Sequence, residues 1–356
     1  MEIFQDLLNY SHEQVSFFTD KESGLKAIVG IHSTALGPSL GGCRMWKYGS
    51  EGEALRDVLR LSRGMTYKAA VAGLRLGGGK AVILGDPRQD KSEALLKAFG
   101  RSIDMLGGRY ITAEDVGMSV ADIDTIRTQT KFAVGGSNEG GSGDPSIMTA
   151  FGVFQGIKAA VKFAKLGEDL QGLTVAVQGA GHVGQHLIAH LSAAGANIKV
   201  SDIHEPNVER MVELYGVDAV KVEDIHKVEC DVFAPCALGA VINARTIPEL
   251  NCRVVAGAAN NQLETDNDGY DLMRRGIVYA PDYALNAGGL INVAAELDGY
   301  NKELVLGKVS QIYSTIATIL ELSREDHVPP HVAADRMAEQ RLKEKRKPFS
   351  AMAVRQ

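Results

Sequence analysis

Apolar residues change their spacing along this chain, and the spacing predicts its elements. Residues 25–32, "LKAIVGIH", and 108–115, "GRYITAED", read as strands, while 52–70 spaces Leu55, Val58 and Leu61 like one helix face. The first part of the chain is therefore α/β in character. Between about residues 132 and 150 the text turns to "FAVGGSNEGGSGDPSIMTA", dense in Gly, Ser and Asn, the composition of a loop or hinge. A domain boundary is expected there.

Beyond it, "GLTVAVQGAGHVGQHLIAHLSAAGANIKVSDI" (172–203) gives a buried strand, a glycine turn, an amphipathic helix and a second strand ending at Asp202. This is a βαβ unit. Apolar runs at 230–237, 252–260 and 276–282 recur at intervals that leave room for crossovers, as a parallel sheet requires. From about residue 301 the pattern predicts two terminal helices, "NKELVLGKVSQIYSTIATILELSRE" and "PHVAADRMAEQRLKEKRK". The fold expected is α/β with two domains separated by a cleft. Residues 1–135 form a substrate-binding and catalytic α/β domain, with a C-terminal helix (328–356) packing back on it; residues 136–327 form a doubly wound, Rossmann-type dinucleotide-binding domain.

Composition narrows the classes. With 356 residues, 45% of them hydrophobic and 23% charged, the chain reads as an ordinary soluble protein of two domains. A formal net charge of −6, spread along the chain, offers no broad attraction for a polyanion, so nucleic acid is a poor partner. The N-terminal "EIFQDLLNY" is acidic and amphipathic, and no run of eighteen apolar residues occurs, which argues against a leader or a membrane partner. Cys43, Cys230, Cys236 and Cys252 show no C-x-x-C spacing, as expected of free thiols in a reducing, cytoplasmic setting. No metal cluster is visible.

In "VQGAGHVG", Gly179, Gly181 and Gly184 make G-x-G-x-x-G directly after a strand and before a helix, and Asp202 lies eighteen residues past the last glycine. The first glycine suits a tight turn, the second a close approach to pyrophosphate, the third helix-on-strand packing. Asp202 would accept from the adenosine ribose hydroxyls and repel a 2′-phosphate, which favours NAD over NADP. A glycine turn can also serve packing alone, and a bound dinucleotide does not make an enzyme.

The chemistry is sought in "TYKAAVAGLRLGGGKAVILGDP", where Lys68 and Lys80 flank a glycine loop, Gly77 to Gly79, and Lys80 begins a strand. Glycines let a substrate lie against backbone groups. A lysine beside another cation has a lowered pKa and suits proton transfer near neutral pH. One lysine is expected to hold a carboxylate while the other works as acid and base, and Asp115, at a strand end, could complete a proton relay. Each residue also has a plainer role, as a surface lysine or a helix cap.

Together, "LGPSLGGCRMW", "GMTYKAAVAGLRLGGGKAVI", "YITAEDVG", "DVFAPCALGAVIN", "VVAGAANNQL" and "YAPDYALNAGGLINVAAEL" resemble the amino acid dehydrogenases related to glutamate dehydrogenase, in their leucine dehydrogenase branch. The likeness runs over about residues 1–345 in the expected order. It implies NAD-dependent, reversible oxidative deamination of an L-amino acid to a 2-oxo acid and ammonia. By the resemblance, Lys68 holds the substrate carboxylate, Lys80 is the catalytic lysine and Asp115 the catalytic aspartate. Gly41, Gly42, Gly77 and Gly78 lie at the substrate backbone, Asn261 helps hold its carboxylate, and Thr149, Ala237, Asn260 and Asn286 contact nicotinamide and its ribose. Closure about residues 135 to 145 is implied. The family forms homo-oligomers, often octamers, with dimers also known.

Specificity positions implied by the resemblance are Leu40, Ala113, Leu290 and Val293, all apolar. Glutamate would leave a buried charge uncompensated there, so a branched aliphatic side chain, that of leucine, valine or isoleucine, is the natural filler. Phenylalanine remains the alternative, because "GGGK" and "GGCR" are similar to phenylalanine dehydrogenases whereas "TAEDVG" is similar to leucine dehydrogenases. Cys43 and Cys236 are expected to fill space near the site. A hydroxy-acid dehydrogenase would ordinarily use a histidine, and none stands in a comparable glycine frame. The last competing class, an NAD-binding regulatory protein without catalysis, is opposed by the intact Lys68, Lys80 and Asp115.

Overall fold

The computed structural model describes residues 3–137 and 141–344. Residues 138–140 of the expected hinge, and the chain from 345 on with most of "KEKRK", lie outside the described residues. The chain divides into two compact units.

The first unit takes in residues up to Gly143, Val293–Asn301 and the chain from Ala338 on. Its elements in order are α1 (Ile3–Tyr10), β1 (Gln14–Asp20), β2 (Leu25–Ser33), β3 (Ser39–Trp46), α2 (Glu51–Val71), β4 (Gly77–Leu84), α3 (Glu93–Asp104), β5 (Tyr110–Glu114) and α4 (Val120–Arg127). The sheet order is β1-β2-β4-β3-β5, antiparallel from β1 to β4 and parallel from β4 to β5. Side chains alternate across it. One face packs Val29, Ile31, Cys43, Met45, Ala81 and Ile83 against Leu95, Phe99 and Ile103 of α3; the other packs Ile28 and Val82 against Ala54, Leu55, Val58 and Leu59 of α2.

Helix α2 starts at Ser50, whose side chain accepts from the Glu53 amide, with Glu51 and Glu53 in the favourable first turn. Its buried stripe is Leu55, Val58, Leu59 and Ser62, the i, i+3, i+4, i+7 set. Leu61 instead sits at the stripe's margin, half-buried, because the six residues from Leu55 make only about 1.7 turns and fall short of two. The glycine triplet also differs from the sequence expectation. Gly77, Gly78 and Gly79 open β4: Gly77 pairs with Ser39 of β3, Gly79 with Ile31 of β2, and Gly78 with both, opposite Ser33 of β2 and Leu40 of β3.

The second unit comprises Asp144–Asn292 and Lys302–Met337. Its elements begin with α5 (Pro145–Phe163), β6 (Thr174–Gln178), α6 (His182–Ala193), β7 (Asn197–Ser201), α7 (Glu205–Tyr215) and β8 (Asp218–Ala219), then β9 (Val232–Pro235) and β10 (Val254–Val255). Next come α8 (Asp266–Arg274), β11 (Val278–Tyr279), α9 (Asp282–Leu285), α10 (Gly288–Ala294), whose residues from Val293 count with the first unit, α11 (Lys302–Ser310), α12 (Ile312–Asp326) and α13 (Pro330–Glu344), whose residues from Ala338 do likewise. The parallel sheet runs β11-β10-β9-β6-β7-β8, the doubly wound order in which the chain reverses direction between β6 and β9. The apolar run from residue 302 makes two helices where one was expected. Gln311, which parts α11 from α12, keeps near-helical dihedrals (φ −69°, ψ −10°), so the periodicity passes through the break. Within the first unit, the end of α13 returns to α2: Arg341 donates to the Ala70 and Val71 carbonyls and Tyr67 to Glu339. No helix among the described residues is long and apolar enough to cross a membrane.

Candidate active site

Strand alternation assembles the first unit's candidate residues. On β4, Lys80 shares the α2-facing side with Val82; on β3, Arg44 lies opposite in sense to buried Cys43 and Met45. The β3–β5 ladder pairs Cys43 with Glu114, which puts Asp115 level with Arg44. Lys80 Nζ and Arg44 Nε both lie 3.0 Å from Asp115 Oδ2, and the Lys80 side chain is only 6% exposed. Burial alone would raise the Asp115 carboxyl, but the Lys80 ammonium and the Arg44 guanidinium hold it below the usual carboxylate range. The group is thus a fixed anion beside a buried amine. Arg44 escaped the sequence reading. Its number of residues from Asp115 carries no signal, and only the strand pairing brings the two together.

The site glycines have a packing reason. A Cβ on Gly41 would stand 1.7 Å from the Gly79 carbonyl oxygen, and one on Gly42 2.4 Å from that of Glu114 and 2.8 Å from Asp115 Cβ. On Gly77 it would meet the Ser33 carbonyl at 1.9 Å, and on Gly78 the Thr66 amide of α2 at 2.0 Å. These contacts let β3, β4, β5 and α2 close together, so the glycines bring Lys80 and Asp115 into reach before any ligand is considered. Tyr110, fully buried, donates to the Gly41 carbonyl at 2.6 Å and fixes that strand.

Lys68 is half-buried in the last turn of α2, the helix that covers the Lys80 face of the sheet. Leu40 is buried on β3 and Ala113 on β5, where Ala113 pairs with Gly42. Leu290 and Val293, three residues apart on α10, are each half-buried. Burial pushes the Cys43 thiol up, and the Cys236 thiol to about 12, so neither is a nucleophile.

In the second unit the glycine turn follows β6 at the carboxyl end of the sheet. Gly179 has φ +103°, a conformation that favours glycine, and its missing Cβ makes room for Ala237 after β9. Gly181 precedes α6, and a Cβ there would meet nothing within 4 Å, leaving its backbone open to a ligand. Gly184 has no such freedom: a Cβ would press on the Gly179 carbonyl oxygen at 2.0 Å. Asp202 Oδ2 accepts from the Ala180 amide and Oδ1 from the His204 amide, both at 2.7 Å, which aims the carboxylate at the turn. Asn286 donates to Asn260 at 2.8 Å and to the Ala258 carbonyl at 3.0 Å, and its own Oδ1 is buried without a partner. Thr149 on α5 stands against Gly289, while Asn261 is exposed with φ +52°. An open anion cradle, a fixed acid and an unsatisfied amide oxygen fit a dinucleotide.

Comparison with known proteins gives the family. Residues 12–132 match the model of the Glu/Leu/Phe/Val dehydrogenase dimerisation domain. Residues 140–204 and 199–347 match that of the Glutamate/Leucine/Phenylalanine/Valine dehydrogenases. The leucine dehydrogenase of Geobacillus stearothermophilus is 56% identical over 348 residues, covering 98% of this chain and 95% of that one. The valine dehydrogenase of Streptomyces albus is 50% identical over 339 residues, covering 94% and 93%. Among solved structures, the L-tryptophan dehydrogenase of Nostoc punctiforme superposes with a TM-score of 0.86 at 44% identity, covering 97% of this chain and 100% of that chain.

Proposed function

From the premise that the chain belongs to the Glu/Leu/Phe/Val dehydrogenase family, we propose that it converts branched-chain L-amino acids, leucine foremost with valine and isoleucine, to 2-oxo acid and ammonia. The reaction is reversible. NAD is the proposed dinucleotide, because Asp202 presents a fixed negative charge where NADP carries a phosphate. The observation that carries the reading is the buried Lys80–Asp115 pair on a glycine-packed strand. Phenylalanine is set aside, since relatives named for leucine and valine match nearly the whole chain.

Bound NAD supplies the acceptor for the hydride that leaves the substrate Cα. The protein's own residues do the rest. Lys68 takes the substrate carboxylate, with Asn261 assisting, and Leu40, Ala113, Leu290 and Val293 receive the aliphatic side chain. Lys80 in its neutral form accepts a proton from the water that adds to the iminium carbon. The Lys80 ammonium passes that proton to Asp115, which delivers it to the departing nitrogen; Lys80, neutral again, takes the carbinol hydroxyl proton as the C=O bond forms and the C–N bond breaks with release of ammonia. Thr149, Ala237, Asn260 and Asn286 hold the nicotinamide end, and Gly179, Gly181 and Gly184 the pyrophosphate.

Four free cysteines suit the proposed cytoplasmic setting, and a homo-oligomer, an octamer before a dimer, is the proposed assembly. The test is NADH formation with leucine, valine, isoleucine, phenylalanine, tryptophan and glutamate. Highest kcat/KM among the branched aliphatics is expected. Preference for phenylalanine would overturn the pocket assignment, and no turnover of any substrate would return the chain to the regulatory class.

A further inference from the structure

We propose that Arg44 is a positioning residue for the deamination, holding Asp115 by Oδ2 so that its other oxygen serves the substrate nitrogen. The inference rests on the function proposed above. Two cations meet one oxygen: Lys80 Nζ and Arg44 Nε each lie 3.0 Å from Asp115 Oδ2. A carboxylate gripped in this way by a planar guanidinium loses its rotational freedom, and Oδ1 is the oxygen those two contacts leave over.

Arg44 is itself held from behind. Its Nη1 lies 3.0 Å from Asp57 Oδ2 on α2, which also accepts from the Tyr48 hydroxyl at 2.8 Å, while Arg60 reaches Asp57 Oδ1 at 3.2 Å. The guanidinium thus bridges two carboxylates, one proposed as catalytic and one structural. Burial works against its charge, but Asp115 and Asp57 keep it cationic. Tyr48, hydrogen-bonded to Asp57 and pushed up by burial, stays a neutral donor. The result is a rigid strut from α2 through β3 to the end of β5.

The strut also sets the electrostatic balance of the pair. The groups facing Asp115 are Lys80 from β4, Arg44 and Cys43 from β3, Tyr110 from β5 and Tyr48 from the segment after β3; Asp57 of α2 acts through Arg44, and Asp122 of α4 lies near Cys43. Cys43, Tyr48 and Tyr110 are all pushed up and remain neutral. Removing Arg44 and removing Asp57 therefore act on the Lys80–Asp115 pair with opposite sign.

The experiment is the pH profile of kcat/KM for leucine in the holoenzyme, with Arg44→Gln, Arg44→Lys and Asp57→Asn beside the native chain, and thermal unfolding of each. Loss of the Arg44 cation moves the acid limb up by about 1 pH unit and lowers kcat by about 10²-fold with little change in leucine KM. Arg44→Lys restores the limb and part of the rate. Asp57→Asn moves the limb down, and this variant decides the matter alone should Arg44→Gln fail to fold. Rate losses with every limb unmoved would assign Arg44 to packing and overturn the proposal. If the native chain oxidises no amino acid, the proposed function itself has failed, an outcome distinct from an active enzyme whose limb ignores Arg44.

Discussion

One methyl group at Gly42 tests whether close strand packing is what places the catalytic pair. A Cβ there would stand 2.4 Å from the Glu114 carbonyl oxygen and 2.8 Å from Asp115 Cβ, where ordinary contact begins at 3.4 Å. The obstacle is strand backbone, not a flexible side-chain end, so Glu114 and Asp115 must retreat by about 1 Å or the β3–β5 ladder must open. Asp115 has no slack for this, since its contacts with Lys80 and Arg44 are both 3.0 Å. A misplacement of about 1 Å at a reacting group costs on the order of 10²-fold in rate. Gly42→Ala is therefore expected to lose about 10²-fold in kcat/KM for leucine and about 1–3 kcal/mol of stability. Gly64→Ala is the control. It lies on the exposed side of α2, where a Cβ meets nothing within 4 Å, so it should gain about 0.5–1 kcal/mol from helix propensity and keep its activity. Steady-state kinetics and thermal unfolding of the two variants decide the point. Native kcat/KM in Gly42→Ala would refute the argument.

Two further outcomes are expected. Asp202→Asn keeps an acceptor for one of the two backbone amides but removes the charge, so NAD affinity should fall about 10-fold and the preference over NADP should narrow, as measured by fluorescence titration; unchanged discrimination would remove Asp202 from cofactor choice. His32, hydrogen-bonded to Thr66 and 7% exposed, is lowered to about 4 by burial first and by the charge of Arg63 second. The folded state keeps it neutral while the unfolded chain takes up a proton near 6.5, so its contribution is whole above pH 6.5 and lost as pH falls toward 4, about 3 kcal/mol in all. His12 is lowered likewise to about 4. His32→Gln should flatten the fall of Tm between pH 7 and pH 4.5 (about the span of that titration); an equal fall in both proteins would contradict this.

The sequence made the second unit legible because its signals are local. The β6 strand, glycine turn and α6 helix follow one another, and Asp202 lies where the next strand must end. The first unit is different. Lys80 stands out beside its glycines and Asp115 at a strand end, and the resemblance assigns their roles, whereas Arg44, Asp57 and Tyr48 join them only through strand register and the α2 face, which no spacing encodes. The triplet Gly77 to Gly79 suggests a loop, because glycine is a poor strand former. Its place in β4 comes from the tertiary requirement that α2 and β3 approach closer than a side chain permits. Leu61 gave way to Leu59 for a simpler reason, the 3.6-residue period.

The most direct test of the central claim is leucine-dependent NADH and ammonia release by the native chain and by Lys80→Ala, with NAD binding and thermal stability measured alongside. Loss of the proton-transfer amine should cut kcat by about 10²–10⁴-fold while the variant still folds and binds NAD. Turnover by Lys80→Ala at the native rate would contradict the account.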